Sequence, residues 1–68
     1  MQEYQKRVVQ EYEEVWDRYF KLGKFLNDAT QGMLEQIGAE EAARLQRQFR
    51  IMDEYAQVLR ERIENFNP

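Results

Sequence analysis

The chain has no cysteine and no histidine, and reading along it finds no serine, one threonine and one proline. Without cysteine it can form neither disulfides nor thiolate metal sites. Without histidine it lacks the commonest metal ligand and the commonest general base. No nucleophile constellation can be assembled from what remains, and Gly23, Gly32 and Gly38 are too scattered to make a phosphate-cradling loop. Long apolar runs are missing too. Nothing approaches the roughly 18 residues of a membrane span, and no apolar stretch follows the opening "MQEYQKRV" as it would in a signal peptide. The expectations are therefore no enzyme, no cofactor, no metal and no membrane partner, and a protein that stays in the cytoplasm of the cell that makes it. With 68 residues the chain is expected to be one domain, 1–68. A domain of that size is marginal alone, and oligomerisation is the one stabilising route left.

What is present is charge and apolar surface in a soluble balance, 34% charged and 43% hydrophobic residues with a formal net charge of -3. That sign argues against DNA, which calls for a basic surface. It leaves room for a small anion held by a few local cations. Carboxylates are plentiful, but a Glu-x-x-His metal motif cannot exist here. Glu11, Glu13 and Glu14 read as surface acids rather than an acid/base pair.

Val8, Tyr12, Val15, Tyr19, Leu22 and Leu26 recur in alternating steps of four and three. Ala42, Leu45, Phe49, Met52, Ala56, Leu59, Ile63 and Phe66 do the same. Both are helical stripes of coiled-coil type, predicting long helices over 2–27 and 39–65. Between them "NDATQG" is rich in turn formers. Asp28 or Thr30 can cap a short helix carrying Met33, Leu34 and Ile37, and Gly38 is placed to end it. Pro68 follows the last helix. Short connections make the long helices antiparallel neighbours. The fold class is all-α: an antiparallel helical hairpin with a short helix at the bend, assembling into an oligomeric bundle. Tyr19, Leu22, Phe49 and Met52 are expected to be core positions near its middle. Acid-first pairs at i, i+4 (Glu3–Arg7, Glu14–Arg18, Asp17–Lys21 and Glu40–Arg44) should support the helices at about 0.3 kcal/mol each.

The hairpin stripe does not use all the large side chains. Val9, Trp16 and Phe20 lie beside it, Phe25 lies on the other flank of the first helix, and Ile51, Tyr55 and Val58 lie beside the second stripe. A monomer would leave several of them wet, forgoing about 1.5–3 kcal/mol each, so the surplus reads as an oligomer interface or a platform for a flat ligand. Arg7, Glu11, Arg18 and Lys21 line one edge of the first helix, and Gln48, Tyr55 and Arg62 one edge of the last. Arg62 has no carboxylate at i±3 or i±4 within its own helix. It can pair with Glu11 or Glu3 on the other helix, or it can clamp a phosphate while a neighbouring ring stacks a base.

"RVVQEYEEVWDRYFKLGKFL" resembles an R-V-x-x-E-x3-L-x2-[KR]-x2-K-L-x2-F-L pattern, with Val15 standing at a leucine position. "LQRQFRIMDEYAQVLRERI" resembles L-x2-Q-x3-M-x2-Y-x3-L-x2-R-I. Together they are similar to a group of very small phage-encoded helical proteins, related to a crAss-like phage protein of unassigned function. Arg7, Glu11, Lys21, Gln48, Tyr55 and Arg62 are the polar positions that carry this resemblance. In architecture the chain also resembles phage anti-CBASS sponges, small helical oligomers that sequester cyclic oligonucleotide signals of bacterial immunity. That resemblance implies a counter-defence protein acting in the bacterial host cytoplasm by sequestering a cyclic dinucleotide without catalysis. A ligand site of Tyr4, Arg7, Glu11, Lys21, Lys24, Tyr55 and Arg62 is then expected: a tyrosine stacks on a base, basic side chains meet phosphates, and Glu11 accepts from a base amine or orients Arg62. A phage inhibitor or adaptor docking its aromatic helix face on a host protein is the alternative, and a purely structural small oligomer is a third.

Overall fold

In the computed structural model, which describes residues 1–66, the chain forms α1 (Glu3–Asp28), α2 (Gln31–Ile37) and α3 (Ala39–Glu64). Pro68 lies outside the described residues. Each boundary has a local cause. At the start of α1, the Gln2 amide donates to Oε1 of Gln5 at 2.8 Å, which satisfies a donor that the first helical turn leaves open. Gln5 is buried, so a polar side chain seals the open end of the hairpin. Thr30, not Asp28, caps α2: its Oγ1 accepts from the Met33 amide at 3.2 Å. Asp28 is the last residue of α1. Gly38 both ends α2 and opens α3, with φ 96° and ψ 146°, a conformation that side chains with a Cβ rarely adopt.

The stripes meet along the length of the long helices, and every stripe residue is at least half-buried. Full burial is confined to Val8, Val15, Ala56 and Leu59, with Tyr12, Ile63 and Phe66 packed against them. Leu59 is the most enclosed, at 1% exposure. The expected mid-hairpin core positions Tyr19, Leu22, Phe49 and Met52 are only half-buried. A layer of two helices encloses small residues at its centre line, but larger side chains overhang its edges. Tyr19 and Phe49 stack nearly parallel, with ring centroids 4.6 Å apart. Gly23 makes that stack possible, since a Cβ there would sit 2.8 Å from Cε1 of Phe49.

The result is a rod of 51 × 15 × 14 Å with a radius of gyration of 15.4 Å, against about 11 Å for a compact domain of this length. It exposes 5560 Å², where a compact monomer of this mass exposes about 4,600 Å². Trp16, Phe20, Ile51, Tyr55 and Val58 are exposed, as the surplus beside the stripes implied. Val9 and Phe25 are half-buried. No helix among the described residues is long and apolar enough to cross a membrane.

Candidate functional site

The register of the hairpin decides which expected site residues can meet. Tyr4 is level with Phe66, edge-on at 6.0 Å, and Tyr19 is level with Phe49. Arg7 and Arg62 therefore stand at the same height near the open end. Tyr55 stands two turns from Arg62, roughly 10 Å along the axis at 1.5 Å per residue. A turn of about 100° per residue puts Tyr4, Arg7, Glu11 and Arg18 on one side of the α1 stripe. Gln48, Tyr55 and Arg62 fall on the side of α3 that faces the same way. Five of the expected residues, Tyr4, Arg7, Glu11, Tyr55 and Arg62, thus share one flank of one protomer. Lys21 and Lys24 stand apart from them, roughly 20–25 Å from Arg7 and roughly 10–15 Å beyond the level of Tyr55 along α1, and toward its back.

The charges on this flank are largely unpaired. Among the described residues, ion pairs within 4.0 Å are Lys21–Asp17, Arg44 with Glu40 and Glu41, and Arg60–Glu64. The expected Asp17–Lys21 and Glu40–Arg44 pairs form, at 2.9 and 4.0 Å. Glu3–Arg7 and Glu14–Arg18 do not, and Arg62 pairs with neither Glu11 nor Glu3. Exposed pairs gain a few tenths of a kcal/mol, which holding two long side chains in one geometry readily cancels. Arg7, Arg18 and Arg62 are left as exposed cations beside two half-exposed tyrosines, Tyr4 and Tyr55.

The other flank holds a groove that the sequence reading did not anticipate. It is an open depression of about 380 Å³ between α1 and α3, with Tyr12, Trp16, Asp53, Gln57, Arg60 and Glu64 among its walls. Trp16 lies stacked on Phe20, ring centroids 5.4 Å apart and planes 13° from parallel. Gln57 donates to Oδ1 of Asp53 at 3.2 Å, and Arg60 Nε donates to Glu64 at 2.9 Å. That hydrogen bond and the Glu64 charge, with a lesser contribution from Tyr12, raise the Arg60 pKa above its ordinary value, so Arg60 stays cationic throughout the physiological range. The available signal was the i, i+4 spacing of Asp53–Gln57 and Arg60–Glu64 on the side that Trp16 faces.

A sequence model of the family Sequestin matches residues 2–65, which takes in both long helices and the bend. The chain belongs to the Sequestin family. No curated protein matches it, and no solved structure does. The name of the Sequestin family denotes withholding, and the coarse role it points to is binding and sequestering.

Proposed function

We propose that this Sequestin protein sequesters a nucleotide immune signal of the cyclic dinucleotide class, as a phage counter-defence protein in the bacterial cytoplasm. It acts by stoichiometric binding, without catalysis. The observation that carries the reading is the flank on which Arg7, Arg18 and Arg62 have no carboxylate within 4.0 Å among the described residues, beside exposed Tyr4 and Tyr55. Guanidinium groups take phosphates with charge-assisted, bidentate hydrogen bonds. A tyrosine ring stacks a base for about 1–3 kcal/mol. Glu11, half-buried on the same flank, accepts from a base amine. Lys21 and Lys24 come to a ligand held at Arg7 and Arg62 from a second protomer, and the reading includes a homo-oligomer.

Thermal melting with a panel of cyclic di- and trinucleotides tests it. A ligand at 100 times its Kd stabilises by about 2.7 kcal/mol, on the order of ten degrees for a domain this small. Arg62→Ala should abolish that shift while helicity and oligomer mass stay unchanged. If the native chain shifts with none of the panel, the cyclic dinucleotide reading falls. The exposed Trp16, Phe20, Ile51 and Val58 then favour docking on a host protein. If Arg62→Ala unfolds the chain, Arg62 is structural.

A further inference from the structure

We infer that the flank carrying Ile51, Tyr55 and Val58 docks on the same flank of a second copy, with the two rods running in opposite directions. The two-fold axis crosses that flank level with Trp16 on α1 and Asp53 on α3. This pairing stands on apolar and charged groups alone and does not depend on the nucleotide reading.

On α3, Gln48, Ile51, Tyr55, Val58 and Arg62 recur in alternating steps of three and four. They form a second heptad seam, turned roughly 100° from the stripe that faces α1. Its three central side chains are about half exposed, and half-buried Met52 opens onto the same surface beside Gln48 and Ile51. The opposite flank offers less to a second helix. Its apolar pair, Trp16 and Phe20, already cover one another. Exposed Glu13 interrupts the run from Val9 to Trp16, and the open depression beside Trp16 leaves no continuous ridge on α3.

Charge fixes the direction and the register. Glu14 and Arg18 both turn to the Ile51 flank, one helical turn apart, and do not pair with each other within the chain. Trp16 lies midway between them in the sequence. A two-fold axis at its level therefore sets each Glu14 against the partner's Arg18. The same operation sets Glu11 against the partner's Lys21. On α3 it packs Tyr55 on the partner's Ile51 and Gln48 on the partner's Val58. Arg62 comes level with the partner's Arg44, whose charge Glu40 and Glu41 already meet. Rods running the same way would oppose Glu14 to Glu14 and Arg18 to Arg18, a like-charge arrangement that selects against that mode.

Size agrees with this register. The axis falls close to the midpoints of Glu3–Asp28 and Ala39–Glu64, so the rods overlap along most of their length. A face of 51 × 15 Å offers roughly 750 Å², near the 800 Å² or so that each partner gives to a standard interface. Every neighbouring pair of helices is then antiparallel, as in a four-helix bundle. The partner's Lys21 and Lys24 come level with Glu11 and Arg7, which is the second-protomer route the nucleotide site calls for. Tyr55 belongs to the seam, and Tyr4 is the ring left to that site.

The test uses the native chain and charge variants at exposed positions, with no nucleotide present. Sedimentation equilibrium over a concentration series should return twice 8.3 kDa. Glu14→Arg or Arg18→Glu alone sets like charges across the axis twice and should weaken the dimer about tenfold or more. The double variant restores opposite charges and should come back to within about threefold of the native dimer. Ile51→Glu should dissociate the dimer, and Phe20→Glu should leave it intact. Circular dichroism on dilute monomer should show equal helicity for all variants, so that a lost mass reports the contact rather than the fold. A native monomer overturns the inference. So does a double variant no tighter than the single ones, or dissociation by Phe20→Glu but not by Ile51→Glu. A dimer that meets these expectations yet shows no thermal shift with cyclic nucleotides would keep the contact and remove the nucleotide reading, so the two claims fail separately.

Discussion

A methyl group on Gly23 would lie 2.8 Å from Phe49 Cε1, whereas one on Gly32 would meet nothing closer than Thr30 Oγ1 at 4.0 Å. Both glycines are helical, so alanine at either gains up to about 1 kcal/mol of helix propensity. At Gly23 that gain opposes overpacking of a ring already stacked on Tyr19, which costs about 1–3 kcal/mol. Gly32→Ala should therefore raise stability by up to about 1 kcal/mol and Gly23→Ala should lower it, both read from urea midpoints. A stabilised Gly23→Ala would show that Phe49 swings aside freely. Leu59 gives the complementary case. It is the most enclosed side chain, and Leu59→Ala should cost about 2–5 kcal/mol. Leu22→Ala, at a half-buried position, should cost less than Leu59→Ala in the same measurement.

At the scale of the elements, the bend is held by few groups, and each can be removed singly. Thr30→Ala deletes the only side-chain cap of α2 and should cost about 1 kcal/mol. Gly38→Ala forces a Cβ into φ 96° at the joint between α2 and α3 and should cost about 1–3 kcal/mol. If Gly38→Ala instead melts like the native chain, the joint has a second conformation open to it. These elements were legible because their signals are local: the heptad spacing, the turn formers and a threonine three residues ahead of an amide. Depth of burial was not. The period of a stripe says which face turns inward but not how much of a tyrosine a second helix covers, so Tyr19 and Phe49 looked more enclosed than they are. Gln5 is buried because of what closes the open end of the hairpin, which no local pattern records. The arginine flank was legible from the seven-residue recurrence of Gln48, Tyr55 and Arg62. The groove at Trp16 depends on the register of α1 against α3, and neither helix carries that register alone.

The whole molecule exposes roughly 1,000 Å² more than a compact chain of its mass should. Apolar groups account for part of that excess on both flanks: Trp16 and Phe20 on one, Ile51, Tyr55 and Val58 on the other. Phe20 alone is 57% exposed. Interfaces of standard size bury about 1,200–2,000 Å² in total across both partners. A rod 51 Å long and about 15 Å wide has room for such a contact along either flank. We predict that light scattering at micromolar concentration returns a multiple of 8.3 kDa, and that the melting temperature rises with protein concentration because assembly stabilises the folded chain. A charge placed at the contact carries its desolvation cost into the dimer but stays solvated in the monomer. Phe20→Glu or Ile51→Glu, whichever lies in the interface, should therefore drop the mass to 8.3 kDa and lower the melting temperature together. The variant on the other flank should leave both unchanged, which locates the interface. A native mass of 8.3 kDa with a melting temperature independent of concentration would refute the assembly. It would also leave Lys21 and Lys24 without a route to the arginine flank.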